Sequence, residues 1–264
     1  AWIIVTSQQD IDSLMKVPGN DFSKIQGRFK TRLSLSSANV DEVIRKRILA
    51  KNPTATQTLE ALYEEKEAIL KNLISFSSDT AEKKMYSNGK DFAAVYPFIP
   101  YQFNLLGNVL TSIREHGASG KHLAEGERSM LALFQESAIS LMDKELGILM
   151  PFNIFYNALD KFIDHTHRSV IIKAMDNQFL DEFDVEVLKV LFMIKYVKEI
   201  KANQENLTTL MVSDIDEDRV VLREKIEKSL KRLVGQTLVQ KNGDIYSFLT
   251  NEEQEITIAI KHEH

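Results

Sequence analysis

The sequence predicts a mainly α-helical chain, with the end of an α/β layer at its start and a winged helix at its close. Three features carry that prediction. From about residue 40 onward, apolar residues recur at spacings of three and four, the period of a helix with one buried face. Strand-like apolar runs are confined to Trp2–Val5, Arg32–Leu35 and the last quarter. There, three helical runs precede Leu238-Val239-Gln240, the turn Asn242-Gly243-Asp244, and Tyr246-Ser247-Phe248-Leu249. Asn-Gly between apolar strands is a hairpin signal, and three helices followed by a two-stranded ribbon make a winged helix, a relative of helix-turn-helix.

Composition narrows the function. With 264 residues the chain makes one large or two smaller domains, and 44% apolar residues can fill real cores. A net charge of −5 means that the whole molecule is not a polycation. The absence of cysteine removes disulfides, cysteine–zinc sites and thiol nucleophiles, and fits a reducing, cytoplasmic setting. No apolar run approaches a membrane span and no signal peptide is visible. The opening Ala1-Trp2-Ile3-Ile4-Val5 reads as a buried strand, so the chain is expected to start inside a domain.

After that strand come Thr6 and Ser7. Small hydroxyls at the carboxyl edge of a sheet lie where open α/β proteins bind ligands; a simple turn capped by Asp10 or Asp12 is the other reading. Ile11–Met15 and Phe22–Gln26 are short helices, the first stopped by Pro18-Gly19. Ser36–Glu42 starts a helix with Val40, Ile44 and Ile48 or Leu49 inward, and Arg45, Lys46, Arg47 and Lys51 mostly outside. A long helix follows from about Thr56 to Ile74, with Leu59, Leu62, Tyr63, Leu70 and Leu73 inward. Ser75–Lys90 is polar and reads as a loop.

Next is the stretch around which the rest is organised, Tyr96–Gln135. Pro97 and Pro100 set among Tyr96, Phe98 and Tyr101 make a rigid extended or turn segment. Phe103, Leu106, Val109, Leu110 and Ile113 then give a helix, broken by Gly117 and Gly120. Gly126-Glu127-Arg128 opens another, with Leu131, Phe134 and Ala138 on one face. A first-turn arginine opposes the helix dipole. It either holds an anion together with the helix end or is a solvated residue at the start of a lid helix. Further helices are expected at Glu136–Asp143, Phe152–Asp164 and Ser169–Ala174. His165-Thr166-His167 has metal-like spacing but no clear third ligand, so it reads as a polar helix end.

The winged helix is expected from Asp184–Ala202, Asn206–Met211 and Asp216–Leu233, the third helix burying Leu222, Ile226, Leu230 and Leu233. Lys225, Lys228 and Arg232 fall opposite that stripe, with Lys231 beside them. The face could meet duplex phosphates, with Lys241 on the wing and Arg223 or Arg232 reading bases. A solvated face or a protein-binding wing fits the same residues, because bases and acids balance over Asp184–Thr250.

Catalytic signatures are mostly absent. Gly117-Ala118-Ser119-Gly120-Lys121-His122 fails the phosphate-loop spacing, and no Gly-x-Ser-x-Gly or His-Glu-x-x-His occurs. The order strand, Gly-Arg-Phe, strand, helical lid, Gly-x-Arg helix, winged helix resembles the carboxyl part of an AAA+ ATPase of the origin-recognition type. More closely, SQQDIDSLM, RLSLSSANVDEVIRKRIL, YPFIPYQFNLL, GASGKHLAEGERSMLALFQ, VLKVLFMIKYVK and NGDIYSFLTNEEQ resemble the BREX system P-loop protein family, BrxC or PglY. The resemblance implies an ATPase of bacterial phage defence. On it, residues 1–36 close an incomplete AAA+ core, 37–146 form the lid, 147–183 connect, and 184–264 are the winged helix. It implies that Arg28 is arginine-finger-like, with Gly27 replacing the family's serine, and that Thr6, Ser7 and Arg128 are sensor-like. ATP and magnesium belong to the full-length protein, which is expected to be a homo-oligomer with duplex DNA and other defence proteins as partners. Both Walker motifs are missing here, so this chain alone is expected to be inactive and to hold no cofactor tightly.

Overall fold

The computed structural model describes residues 40–118 and 127–263. The strands and short helices expected before residue 37 lie outside the described residues. What is described is mainly helical, with one two-stranded sheet. No described helix is long and apolar enough to cross a membrane.

Helix α1 (Val40–Val43) runs into a π-helical turn, Ile44–Ile48. The wider turn changes which residue faces inward. Leu49 N donates to Ile44 O, so Leu49 joins Ile44 in the core while Ile48 is only half-buried. Two bases expected outside are drawn in. Arg45 pairs with Asp91 and lies 5.7 Å from the Phe103 ring centroid. Lys51 donates to Tyr96 O (2.8 Å) and Ala94 O (3.3 Å), closing the end of α3 (Gly89–Val95). Burial pushes its ammonium down to about 8. Helix α2 (Pro53–Leu73) starts earlier than Thr56, because Asn52 accepts from Ala55 N (2.8 Å) and Pro53 has no N–H to satisfy.

The Pro-aromatic segment is the core hub. Its Tyr96–Pro97 bond is cis, and Phe98 and Ile99 are fully buried. Helix α4 (Tyr101–Glu115) follows with Phe103, Leu106, Val109, Leu110 and Ile113 buried as expected. Gln102, also fully buried, accepts from Ile99 N (3.0 Å) and donates to Met150 O (2.7 Å). Met150 N donates to Pro97 O (2.9 Å), and Tyr96 Oη accepts from Gly147 N (2.9 Å). Those bonds fasten the start of α4 to residues 147–150. On the apolar side, Phe98 meets Phe134 of α5 (Glu127–Ser140) at 4.8 Å and Phe155 of α6 (Ile154–Leu159) at 5.7 Å between ring centroids. Helix α6 is shorter than the expected Phe152–Asp164 and ends in a 3-10 turn, Asp160–Phe162. Asp164 then caps α7 (His165–Met175), accepting from His167 N and pairing with its Nδ1, while His165 is exposed.

Three helices and a hairpin follow in the expected order. They are α8 (Glu182–Ile194), α9 (Gln204–Met211), α10 (Arg219–Gly235), β1 (Val239–Asn242) and β2 (Ile245–Phe248). Helix α8 stops well short of Ala202 and is apolar nearly all round, because α4, α7, α9, α10 and β2 all pack on it. The antiparallel register runs from Val239↔Phe248 to Asn242↔Ile245. Gly243, at φ +64°, takes the first loop position, where a two-residue hairpin requires a positive φ. A last helix, α11 (Asn251–His262), was not expected; Thr250 and Glu253 start it with a capping box.

Of residues 75–90, read as a plain loop, 75–88 form a polar strap across the three-helix unit, and Gly89 and Lys90 already open α3. The fully buried Asn206 accepts from Ser77 N (2.8 Å) and donates to Thr80 Oγ1 and Lys201 O (both 2.9 Å). Asn203 donates to Ser77 Oγ (3.0 Å) and Lys201 pairs with Asp79 (2.6 Å). Asn206→Ala strands the Ser77 N–H and the Lys201 carbonyl. It should cost about 2–3 kcal/mol, seen as a lower urea midpoint at unchanged slope.

Candidate functional site

Helix α10 grows out of an acidic turn. Asp218 Oδ1 accepts the N–H groups of Val220 (3.0 Å) and Val221 (3.2 Å), capping the helix. Glu217 Oε2 accepts from Ser213 N (2.8 Å), and Asp216 pairs with Lys66 of α2 (2.9 Å). The first base of the helix points away from solvent. Arg219 donates to Leu73 O (2.7 Å), Thr209 Oγ1 (2.8 Å) and Glu205 O (3.2 Å), closing the carboxyl end of α2. What the first turn shows to solvent is Val220, 67% exposed, and Val221, 59% exposed.

Farther along, Leu222, Ile226, Leu230 and Leu233 are buried as expected. The bases sort differently from the expectation. At about 100° per residue, Lys225 and Arg232 lie roughly a quarter turn from the stripe, on the flank beside α8. Arg232 grips both oxygens of Asp184 (Nε 2.7 Å, Nη2 2.8 Å) and reaches Asp181 (3.3 Å). Asp184 is fully buried while the Arg232 side chain is 36% exposed, so Arg232 is committed to a buried carboxylate rather than free to read a base. Burial alone would push the Asp184 carboxyl up; hydrogen bonds from Arg232 and from Asp181 N outweigh it and hold the carboxyl below its ordinary value. The Lys225 ammonium sits 4.0 Å from the Phe183 ring centroid.

The remaining bases are exposed. Arg223 pairs with Glu205 (2.5 Å) and Lys231 with Glu227 (3.5 Å). Lys228 makes no ion pair among the described residues, and on the wing Lys241 lies 5.7 Å from the Tyr246 ring centroid. The face most nearly opposite the stripe therefore carries Val220, Val221, Glu224, Lys228 and Lys231, a mixed surface.

Beside the start of α10 the chain leaves a notch of about 420 Å³, lined by Pro151, Asn153, Phe183, Glu186, Met211, Glu217, Leu222 and Lys225 among others. Sequence reasoning singled out none of these except Lys225 and the stripe residue Leu222. The available signal was Val220-Val221 one residue after an acidic run: with Leu222 inward, the two residues before it cannot share its face. Of the nucleotide-side candidates, Thr6, Ser7 and Arg28 lie outside the described residues, and Arg128 is exposed in the first turn of α5. The chain matches no protein-family model and no solved structure.

Proposed function

We propose that residues 184–264 form a winged helix that docks a protein partner through the start of α10. In this reading the chain is the end of the nucleotide-binding core, the helical lid and the winged helix of an ATP-dependent phage-defence protein of the BREX kind it resembles. The observation that carries the docking half is the start of α10 itself. A helix that enters a DNA groove presents its first residues to base edges, and phosphates require cations around them. Here those residues are the exposed Val220 and Val221, which follow Asp216, Glu217, Asp218 and the inward-turned Arg219. Exposed apolar side chains beside an acidic turn suit a protein surface. The nucleotide half rests on the resemblance: Thr6, Ser7, Arg28 and Arg128 would meet ATP and magnesium in a full-length, cytoplasmic homo-oligomer.

A second reading, weak duplex contact, is favoured by Lys228 and Lys241, which are exposed, with Lys225, Lys231 and Arg223 able to leave their present contacts. Neutralising about three phosphates would give a slope of log affinity against log salt near roughly −3. Titrating labelled duplex at low and moderate salt decides between the two. Partner docking predicts weak binding, equal for wild type and a Lys225→Glu, Lys228→Glu double variant. Salt-dependent binding that the double variant loses would put duplex contact in its place.

A further inference from the structure

We infer that the notch beside the start of α10 binds the guanidinium of an arginine side chain carried by a protein partner. The inference deepens the docking reading above and rests on it for its biological occupant. Its volume, about 420 Å³, lies within the range of small-ligand pockets, roughly 300–1,000 Å³.

Its acceptors outnumber its donors. Asn153 is only 6% exposed, and its Nδ2 donates to Glu186 Oε2 at 2.7 Å. A carboxylate there requires a donor, which fixes the amide orientation. Asn153 Oδ1 is then left buried with no hydrogen-bond partner. Glu217 accepts the Ser213 N–H (2.8 Å) and forms no ion pair among the described residues. Burial pushes its carboxyl above its ordinary value, as expected of a carboxylate short of a cation. Glu186 has one cation, Lys189, at 2.7 Å.

The notch already shows that it accepts a cation. Lys225 Nζ rests on the face of Phe183 at 4.0 Å, not on Glu217 or Glu186. An aromatic face that holds an ammonium holds a guanidinium at least as well, because the planar, weakly hydrated group stacks on it. A guanidinium also offers five donors in one plane, enough to reach Asn153 Oδ1 and a carboxylate together, which an ammonium on a single point does not. Its alkyl stem would lie along Met211 and Leu222. Entry requires Lys225 to leave the ring, and its exposed position on α10 permits that.

The test uses the whole chain with labelled methionine and leucine methyls, titrated with N-acetyl-arginine-N-methylamide. The citrulline and lysine analogues are titrated in parallel. Saturable shifts of the Met211 and Leu222 methyls are expected with the arginine probe. They should be weaker with lysine and absent with citrulline, which keeps the shape and lacks the charge. Glu217→Gln should weaken arginine binding on the order of ten-fold, the loss of one charge-assisted hydrogen bond. Lys225→Ala should tighten it by removing the resident cation, an effect that loss of packing would not produce. Equal shifts with citrulline, or no saturable shift with arginine, would overturn the inference, as would Lys225→Ala binding no tighter than wild type. The methyls report the notch without any partner or duplex, so this can fail while docking through Val220 and Val221 stands.

Discussion

Arg232→Met is expected to lower the unfolding free energy by about 3–5 kcal/mol while leaving duplex binding unchanged. The reason lies in what the substitution leaves behind. Asp184 is fully buried, and beside the bond from Asp181 N its charge is compensated by two bonds from Arg232 across the α8–α10 contact. Removing one partner of a buried pair strands the other, which costs far more than the intact pair contributes. Adding Asp184→Asn removes the stranded charge, so the double variant should recover most of the loss. Helical circular dichroism in urea measures all three proteins.

The pH dependence gives that experiment a second arm. In the wild type the Asp184 carboxyl is held below its ordinary value. A depressed carboxyl stabilises the fold above its unfolded pKa, about 3.9, and that stabilisation is lost as pH falls through the lower folded value. In Arg232→Met the same carboxyl is buried without a cation, so its pKa rises. Acidification then relieves the variant before it harms the wild type, and the gap between them narrows as pH falls from 7 toward 4. A gap that does not change with pH, or a double variant no better than the single, would mean that Arg232 acts by packing alone.

Where sequence and structure agree, the signal was local. Tyr96–Tyr101 was legible because prolines and aromatics restrict the backbone whatever surrounds them. The α4 stripe was legible because its five apolar residues keep one helical period, and the hairpin because Gly243 supplies the positive φ that its turn, Gly243-Asp244, requires. The misplacements came from long-range partners. Arg232 and Arg45 look like surface bases until Asp184 and Asp91 are brought opposite them. The polar strap at 75–88 has no period, since its order comes from Asn203 and Asn206, more than a hundred residues away. Helix α11 was hidden for another reason. Ile256, Ile258 and Ile260 alternate as a strand would, yet they stay exposed, and the half-buried side is Asn251, Glu253, Gln254 and Thr257. Its capping box was the better signal than its apolar pattern. At the candidate site, Lys228, Lys231 and Lys241 were legible as exposed bases. The notch was not, because Asn153, Phe183 and Glu217 meet only after α6, α8 and α10 have packed.

Phe98→Ala tests what the organising motif does. The Pro-aromatic segment could hold the fold together or face a bound nucleotide, and the two give different variants. Phe98 is fully buried; its ring contacts Phe134 and Phe155, and Phe134 in turn stacks on Phe103 at 4.6 Å between centroids. Phe98 and these three rings, from four segments, thus form one cluster. Truncation to alanine removes the apolar transfer energy and leaves a cavity that rings fixed by their own helices cannot fill. The expected cost is about 3–5 kcal/mol. Phe98→Leu keeps more of the volume and forfeits mainly ring–ring contacts, each worth about 0.5–1.5 kcal/mol, so it should lose about half as much or less. Neighbouring bonds at Pro97 O and Gln102 are backbone-directed, so both variants should keep their helical spectrum below the lowered urea midpoint. If Phe98→Ala unfolded at the wild-type midpoint, the segment would not be the keystone of this core. A role facing a ligand would then become the better account of its Tyr-Pro-Phe-Ile-Pro sequence.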